Sequence, residues 1–66
     1  MKVIVNGVPE DLDERMTVAQ LVATRSEDRR RIAVARNGEV VPRSAWEATS
    51  LHDGDAVEVL AAVAGG

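Results

Sequence analysis

The chain contains no cysteine, phenylalanine or tyrosine, and Trp46 is its only aromatic residue. Without thiols there is no disulfide framework, no thiolate metal site and no cysteine nucleophile. Without a set of aromatic rings there is no stacking platform for single-stranded nucleic acid. No apolar run approaches the roughly 20 residues needed to span a bilayer. The opening MKVIVNGV lacks signal-peptide architecture, because its apolar part is short and Asn6-Gly7 interrupts it. Excess positive charge is missing too: 8 Lys and Arg stand against 11 Asp and Glu, a formal net charge of −3. Neither a nucleic-acid partner, whose phosphates favour a basic footprint, nor a membrane partner is expected. These absences point to a cytoplasmic protein with an aliphatic core.

What is present suits one small domain. The chain has 66 residues, 45% of them hydrophobic and 29% charged. A domain of this size buries only roughly 60% of the surface its unfolded form exposes, so it has one core, modest stability and no deep active-site pocket.

The apolar pattern changes period along the chain. From Met1 to Asn6 it alternates, with Met1, Val3 and Val5 on one face and Lys2 and Ile4 on the other. Asn6-Gly7 is a type I′ hairpin signal, since both residues tolerate positive φ. Val8 to Leu12 returns as a second strand, and Pro9, which cannot donate to a ladder, makes it an edge strand. Thr17-Val-Ala-Gln20 fits a capping box and opens a helix whose Val18, Leu21 and Val22 share one face, fading near Arg25. SEDRRR follows as a polar connection. Ile32 to Asn37 reads as a third strand, Asn37-Gly38 as a second turn, and Glu39-Val40-Val41 as a short strand stopped by Pro42. Ser44 is placed to cap a single helical turn carrying Trp46. His52-Asp-Gly-Asp55 is a tight turn before a last strand, Ala56 to Val63, in which Val57 and Val59 alternate with Glu58 and Leu60.

The expected architecture is α+β, a sheet of four to five strands with one main helix across one face. Its core gathers Met1, Val3, Val5, Val18, Leu21, Val22, Ile32, Val34, Val57 and Val59. The C-terminal strand lies parallel to the N-terminal one, with a tail projecting beyond the sheet. The opposite face of the sheet carries Ile4, Ala33, Ala35 and Leu60. These form a flat, mostly apolar patch leading to the tail, the kind of surface that marks an interaction site.

Polar residues that suggest chemistry have simpler readings. His52 has no second histidine with which to share a metal, and Asp53-Gly54-Asp55 lacks the ligand spacing of a calcium loop. Ser44 and Ser50 have no plausible dyad with that histidine. Arg29-Arg30-Arg31 sits beside Glu27 and Asp28 and reads as a solvated loop. Trp46 covers one end of the core or contacts a partner. Arg43 braces its loop or meets an acidic group on a partner. No catalytic, metal or cofactor site is expected, and the chain does not read as an enzyme.

NGEVVPRSAW, the turn HDGDAVEVL and the ending AAVAGG together resemble the ThiS family, bacterial sulfur carriers of ubiquitin-like β-grasp fold that serve thiamin thiazole biosynthesis. The combination of VPR-x-x-W with a terminal AGG carries the resemblance, which covers essentially the whole chain. It divides the chain into a β-grasp domain over 1–61 and a flexible tail over 62–66. It also implies that an E1-like enzyme uses ATP to adenylate Gly66, that a persulfide donor supplies sulfur, and that the resulting thiocarboxylate passes to a thiazole synthase. A C-terminal carboxylate is ionised at pH 7 and a poor electrophile, so such activation is chemically required.

Ala64, Gly65 and Gly66 form the reactive end, and two glycines, lacking Cβ, suit a narrow channel. Ala62 to Gly66, fully extended, reach roughly 16 Å. Ala62 and Val63 join Ile4, Ala33, Ala35 and Leu60 as partner-contacting residues. Three alternatives stand beside this reading: the sulfur carrier that forms the small subunit of molybdopterin synthase, a β-grasp interaction module, and a protein modifier conjugated through Gly66.

Overall fold

A computed structural model describes residues 1–25 and 31–61. The polar connection at 26–30 and the tail residues Ala62, Val63, Ala64, Gly65 and Gly66 lie outside the described residues. The elements are β1 (Lys2–Val5), β2 (Val8–Asp11), α1 (Val18–Arg25), β3 (Ile32–Arg36), β4 (Glu39–Val41), a 3-10 turn at Arg43–Ala45, and β5 (Ala56–Ala61). They build one five-stranded mixed sheet in the order β2-β1-β5-β3-β4, with α1 against one face, which is the expected α+β arrangement.

Both hairpins follow from their Asn-Gly pairs. Asn6 and Gly7 have φ of 51° and 81°, and Asn37 and Gly38 have φ of 52° and 84°. Positive φ at both central residues is the type I′ condition, and it aligns Val5 with Val8 and Arg36 with Glu39. Backbone bonds in both directions between Met1 and Leu12, at 2.7 and 2.8 Å, set the alternation of the first hairpin. Ile4 and Pro9 then face each other as a non-hydrogen-bonded pair, so the N–H that proline lacks would have pointed away from β1. β2 is an edge strand for that reason. β5 runs parallel to β1 and antiparallel to β3, and so becomes the central strand.

The capping box forms as read. Thr17 N–H donates to Gln20 Oε1 at 2.9 Å, and Gln20 N–H donates to Thr17 Oγ1 at 3.2 Å. The other free amides of the first turn find carbonyls outside the helix: Val18 N–H donates to Thr49 O and Ala19 N–H to Trp46 O. The loop after β4 is thereby tied to the helix start.

Val3, Val5, Val34, Val57 and Val59 from the sheet meet Val18, Ala19, Leu21 and Val22 from the helix, with Trp46 and Leu51 completing the core. Met1 and Ile32, expected inside, are only partly buried and pack at its margin. Trp46 is 2% exposed and donates from Nε1 to Val41 O at 2.8 Å, so it covers one end of the core with its polar edge satisfied. Ser44 does not cap the helical turn but lies within it. The turn opens at Arg43, two residues earlier than a Ser44 cap would place it, because Pro42 supplies the entry geometry (φ −62°, ψ 149°) and no side-chain cap bond forms. Leu51, absent from the expected core, is 2% exposed. A Thr17–Ser50 bridge and a bond from Leu51 N–H to Met16 O at 2.9 Å hold it beneath the helix.

Candidate functional site

β5 leads toward the tail, and its environment defines the candidate site. Its odd residues Val57 and Val59 point into the core, while Ala56, Glu58 and Leu60 point out. The register places Ala33 beside Leu60, Ala35 beside Glu58, Val40 beside Ala35, and Ile4 beside Ala56. With neighbouring strands about 4.8 Å apart, Leu60, Ala33, Ala35 and Val40 make one continuous outer surface. Leu60 is 59% exposed and Val40 78%.

All four described residues of the expected patch therefore lie on the outer face, but they do not form one unbroken set. Ile4, 39% exposed, borders the start of β5, and Glu58 separates it from Leu60. Val40 is an addition. Its signal was the Val40-Val41 pair: Val41 packs against the core, so in a strand its predecessor must face out. Glu58 makes no ion pair among the described residues, which leaves a carboxylate set within apolar neighbours. Ala62 and Val63 fall outside the described residues, as do Ala64, Gly65 and Gly66.

Side-chain amides hold β5 at both ends. Asn37 Nδ2 donates to Asp55 Oδ1 at 3.0 Å, and Asn37 Oδ1 accepts from Ala56 N–H at 3.0 Å. At the other end Asn6 Oδ1 accepts from Val59 N–H at 2.8 Å, while Asn6 Nδ2 donates to Val59 O at 3.1 Å. These contacts connect residues far apart in sequence and carry no local signal beyond the Asn-Gly turns.

Asp55 is the buried charge behind the strand start, 8% exposed. Burial on its own raises its carboxyl. Hydrogen bonds from Asn37 and from the His52 backbone N–H (2.8 Å to Oδ2), with Arg36 and His52 each 4.0 Å away, more than offset this and lower it below the ordinary aspartate range. The consequence has a definite sign. A depressed folded value means the carboxylate stabilises the fold above the ordinary aspartate range, and this contribution is lost as pH falls toward and through the folded value. Asp55→Asn is expected to lower stability at neutral pH, because its amide turns donors toward the donors of Asn37 and His52. The deficit should narrow in acid. Urea titrations at neutral pH and below the aspartate range check this, and an unchanged acid limb would count against Asp55 as its source.

His52 is exposed and belongs to the turn, as read. Among the described residues no group of three or more His, Cys, Asp or Glu side chains is placed to hold a metal ion. Nor is any helix among them long and apolar enough to cross a membrane. The geometry displays a sheet face and fixes a strand end. It assembles no catalytic constellation among the described residues.

Known proteins share this arrangement. The sequence profile of the ThiS family matches residues 3–66. A thiazole synthase of Paramagnetospirillum magneticum is 38% identical over 66 residues, all of this chain, which spans 20% of that protein's length. The crystal structure of the thiamine biosynthesis protein ThiS from Geobacter metallireducens superposes with a TM-score of 0.82 at 40% identity, each chain being covered in full. A solution NMR structure of a thiamine biosynthesis protein from that organism gives 0.81 at 39% identity, covering all of this chain and 88% of that one. The agreement extends through sequence and through the β-grasp order of strands, and the chain belongs to the ThiS family.

Proposed function

We propose that the protein is a sulfur carrier of thiamine biosynthesis whose Gly66 carboxylate is adenylated and then converted to a thiocarboxylate. The observation that carries this reading is the match over whole chains to a thiamine biosynthesis ThiS protein of solved structure, at 40% identity. An E1-like partner uses ATP to make the acyl adenylate, releasing pyrophosphate. A persulfide then displaces AMP to give an acyl disulfide. A second thiol of the partner system attacks the sulfur on the donor side, releasing the thiocarboxylate and leaving a disulfide on the partner. The recipient is a thiazole synthase. A protein of that name carries a stretch 38% identical to the whole of this chain, which supports the pairing. The protein contributes position and a docking face, and the bond-making groups belong to its partners.

The test is intact mass after incubation with the activating enzyme, ATP and a persulfide donor. Replacement of one oxygen by sulfur is the expected outcome. No change with an activating enzyme proven active on another carrier would move the reading to an interaction module.

The outer face of β5 and β3 is the docking surface in this proposal. Leu60→Glu is expected to weaken binding to thiazole synthase roughly 30-fold or more, the scale of losing one interfacial anchor. Its side chain is 59% exposed, so stability should stay within about 0.5 kcal/mol. Calorimetric titration checks the first statement and a urea titration the second. Unchanged affinity removes Leu60 from the interface.

A further inference from the structure

The pairing of β1 with β5 ends at Val5 and Val57, where β1 turns away into its hairpin, yet β5 continues as strand to Ala61. Asn6 bridges that gap. Its backbone N–H donates to Val57 O at 2.9 Å, the last backbone contact on this side. Its side chain then does what the next residue of a longer β1 would do, accepting from Val59 N–H and donating to Val59 O. A side-chain amide has the same donor and acceptor pair as a peptide group, and so it extends the ladder by one step. Left-handed backbone at Asn6, φ 51°, aims the side chain back along the sheet, and asparagine is among the few residues that adopt it readily.

We infer that Asn6 is a positioning residue for sulfur loading: by standing in for a further β1 residue, it fixes the direction in which the backbone leaves β5. This rests on the proposed carrier function. On its other side β5 is paired with β3 as far as Ala61, opposite Ile32. Without Asn6 that would be the sole ladder holding Val59, as it already is for Leu60 and Ala61, and a strand held on one side opens more readily. A carrier presents its carboxylate to an enzyme at the end of a short reach, so a spread of exit directions lowers the fraction competent to enter the site. That reduces apparent affinity by the same fraction and leaves the turnover of bound carrier unchanged.

Asn6→Gly keeps the turn, since glycine accepts positive φ, and deletes both side-chain bonds. Asn37→Gly is the matched control, because it deletes two side-chain bonds at the other end of β5. Amide hydrogen exchange in the free proteins is read first. Asn6→Gly should lose roughly tenfold protection at Val59, while the amides of β3 keep theirs. Adenylation is read next, with KM for the carrier rising roughly tenfold for Asn6→Gly at unchanged kcat, and little change for Asn37→Gly at equal loss of stability. Unchanged protection at Val59 would overturn the clamp. Equal KM values for the two variants would overturn its positioning role and leave Asn6 a structural residue. Failure of the unaltered chain to be adenylated would instead remove the carrier reading and with it the positioning role, while the exchange measurement still decides the clamp.

Discussion

Leu51→Ala is expected to leave much of the protein unfolded. The side chain is 2% exposed and comes from an irregular segment between the 3-10 turn and β5. Truncating a buried leucine costs about 2–5 kcal/mol, the larger values arising where the surroundings cannot close over the cavity. Closure is restricted here. The segment is held by bonds from Val18 N–H to Thr49 O and from Leu51 N–H to Met16 O, and Val18, Leu21 and Trp46 of the same core are fixed by the helix and by the Trp46–Val41 bond. Against this stands the total stability of a 66-residue domain, on the order of 3–10 kcal/mol at 0.05–0.15 kcal/mol per residue. One residue in a loop thus accounts for a large share of the fold. Urea titration followed by circular dichroism measures the loss, with Leu51→Met, a near-conservative change in volume, expected to cost under about 1.5 kcal/mol. An unchanged midpoint for Leu51→Ala would show that the loop is not part of the core.

Leu51 also shows why some of the fold was legible in the sequence and some was not. Elements with a local cause were legible: the Asn6-Gly7 and Asn37-Gly38 turns, the Thr17–Gln20 capping box, and the alternation that sends Val3 and Val5 in and Ile4 out. Leu51 has no such cause. It lies in no periodic run, and its burial follows from pairing with Met16 across more than thirty residues of chain. The same holds for Asp55, whose environment combines Asn37 and Arg36 with its own turn, and for the Asn6 clamp on Val59. Ser44 went the other way: a residue type favoured at caps sits inside a turn that Pro42 already defines. On the outer face the set Ile4, Ala33, Ala35 and Leu60 was readable from alternation alone. Its interruption by Glu58 and its extension to Val40 required the register between strands. Period-two patterns assign faces. Neighbours across a sheet depend on where each strand begins to pair.

Register also bears on the largest functional effect expected, that of deleting Gly66. The shortened chain ends on Gly65, with a carboxylate of the same chemistry retracted by about 3.3 Å. Folding should not notice, because every core residue among the described residues lies at or before Val59, and stability should change by less than about 0.5 kcal/mol. Sulfur loading should fall by about 100-fold or more, since misplacing a reacting group by even 1 Å can cost that much. Initial rates of thiocarboxylate formation, read by intact mass, distinguish two kinds of activating site. A site that tolerated the shortened chain at full rate would be following the carboxylate wherever it lies, and the direction in which β5 releases the chain would matter little. A site that rejects it reads distance from the sheet. In that case the length after the last paired residue of β5, Ala61, and the amide of Asn6 that pins Val59 act on the same quantity, the position of one carboxyl carbon. Deleting Gly66 and loosening Asn6 should then differ in kind. The deletion displaces that carbon in every molecule, so it lowers kcat, whereas the loosened clamp spreads its position over many molecules and raises KM.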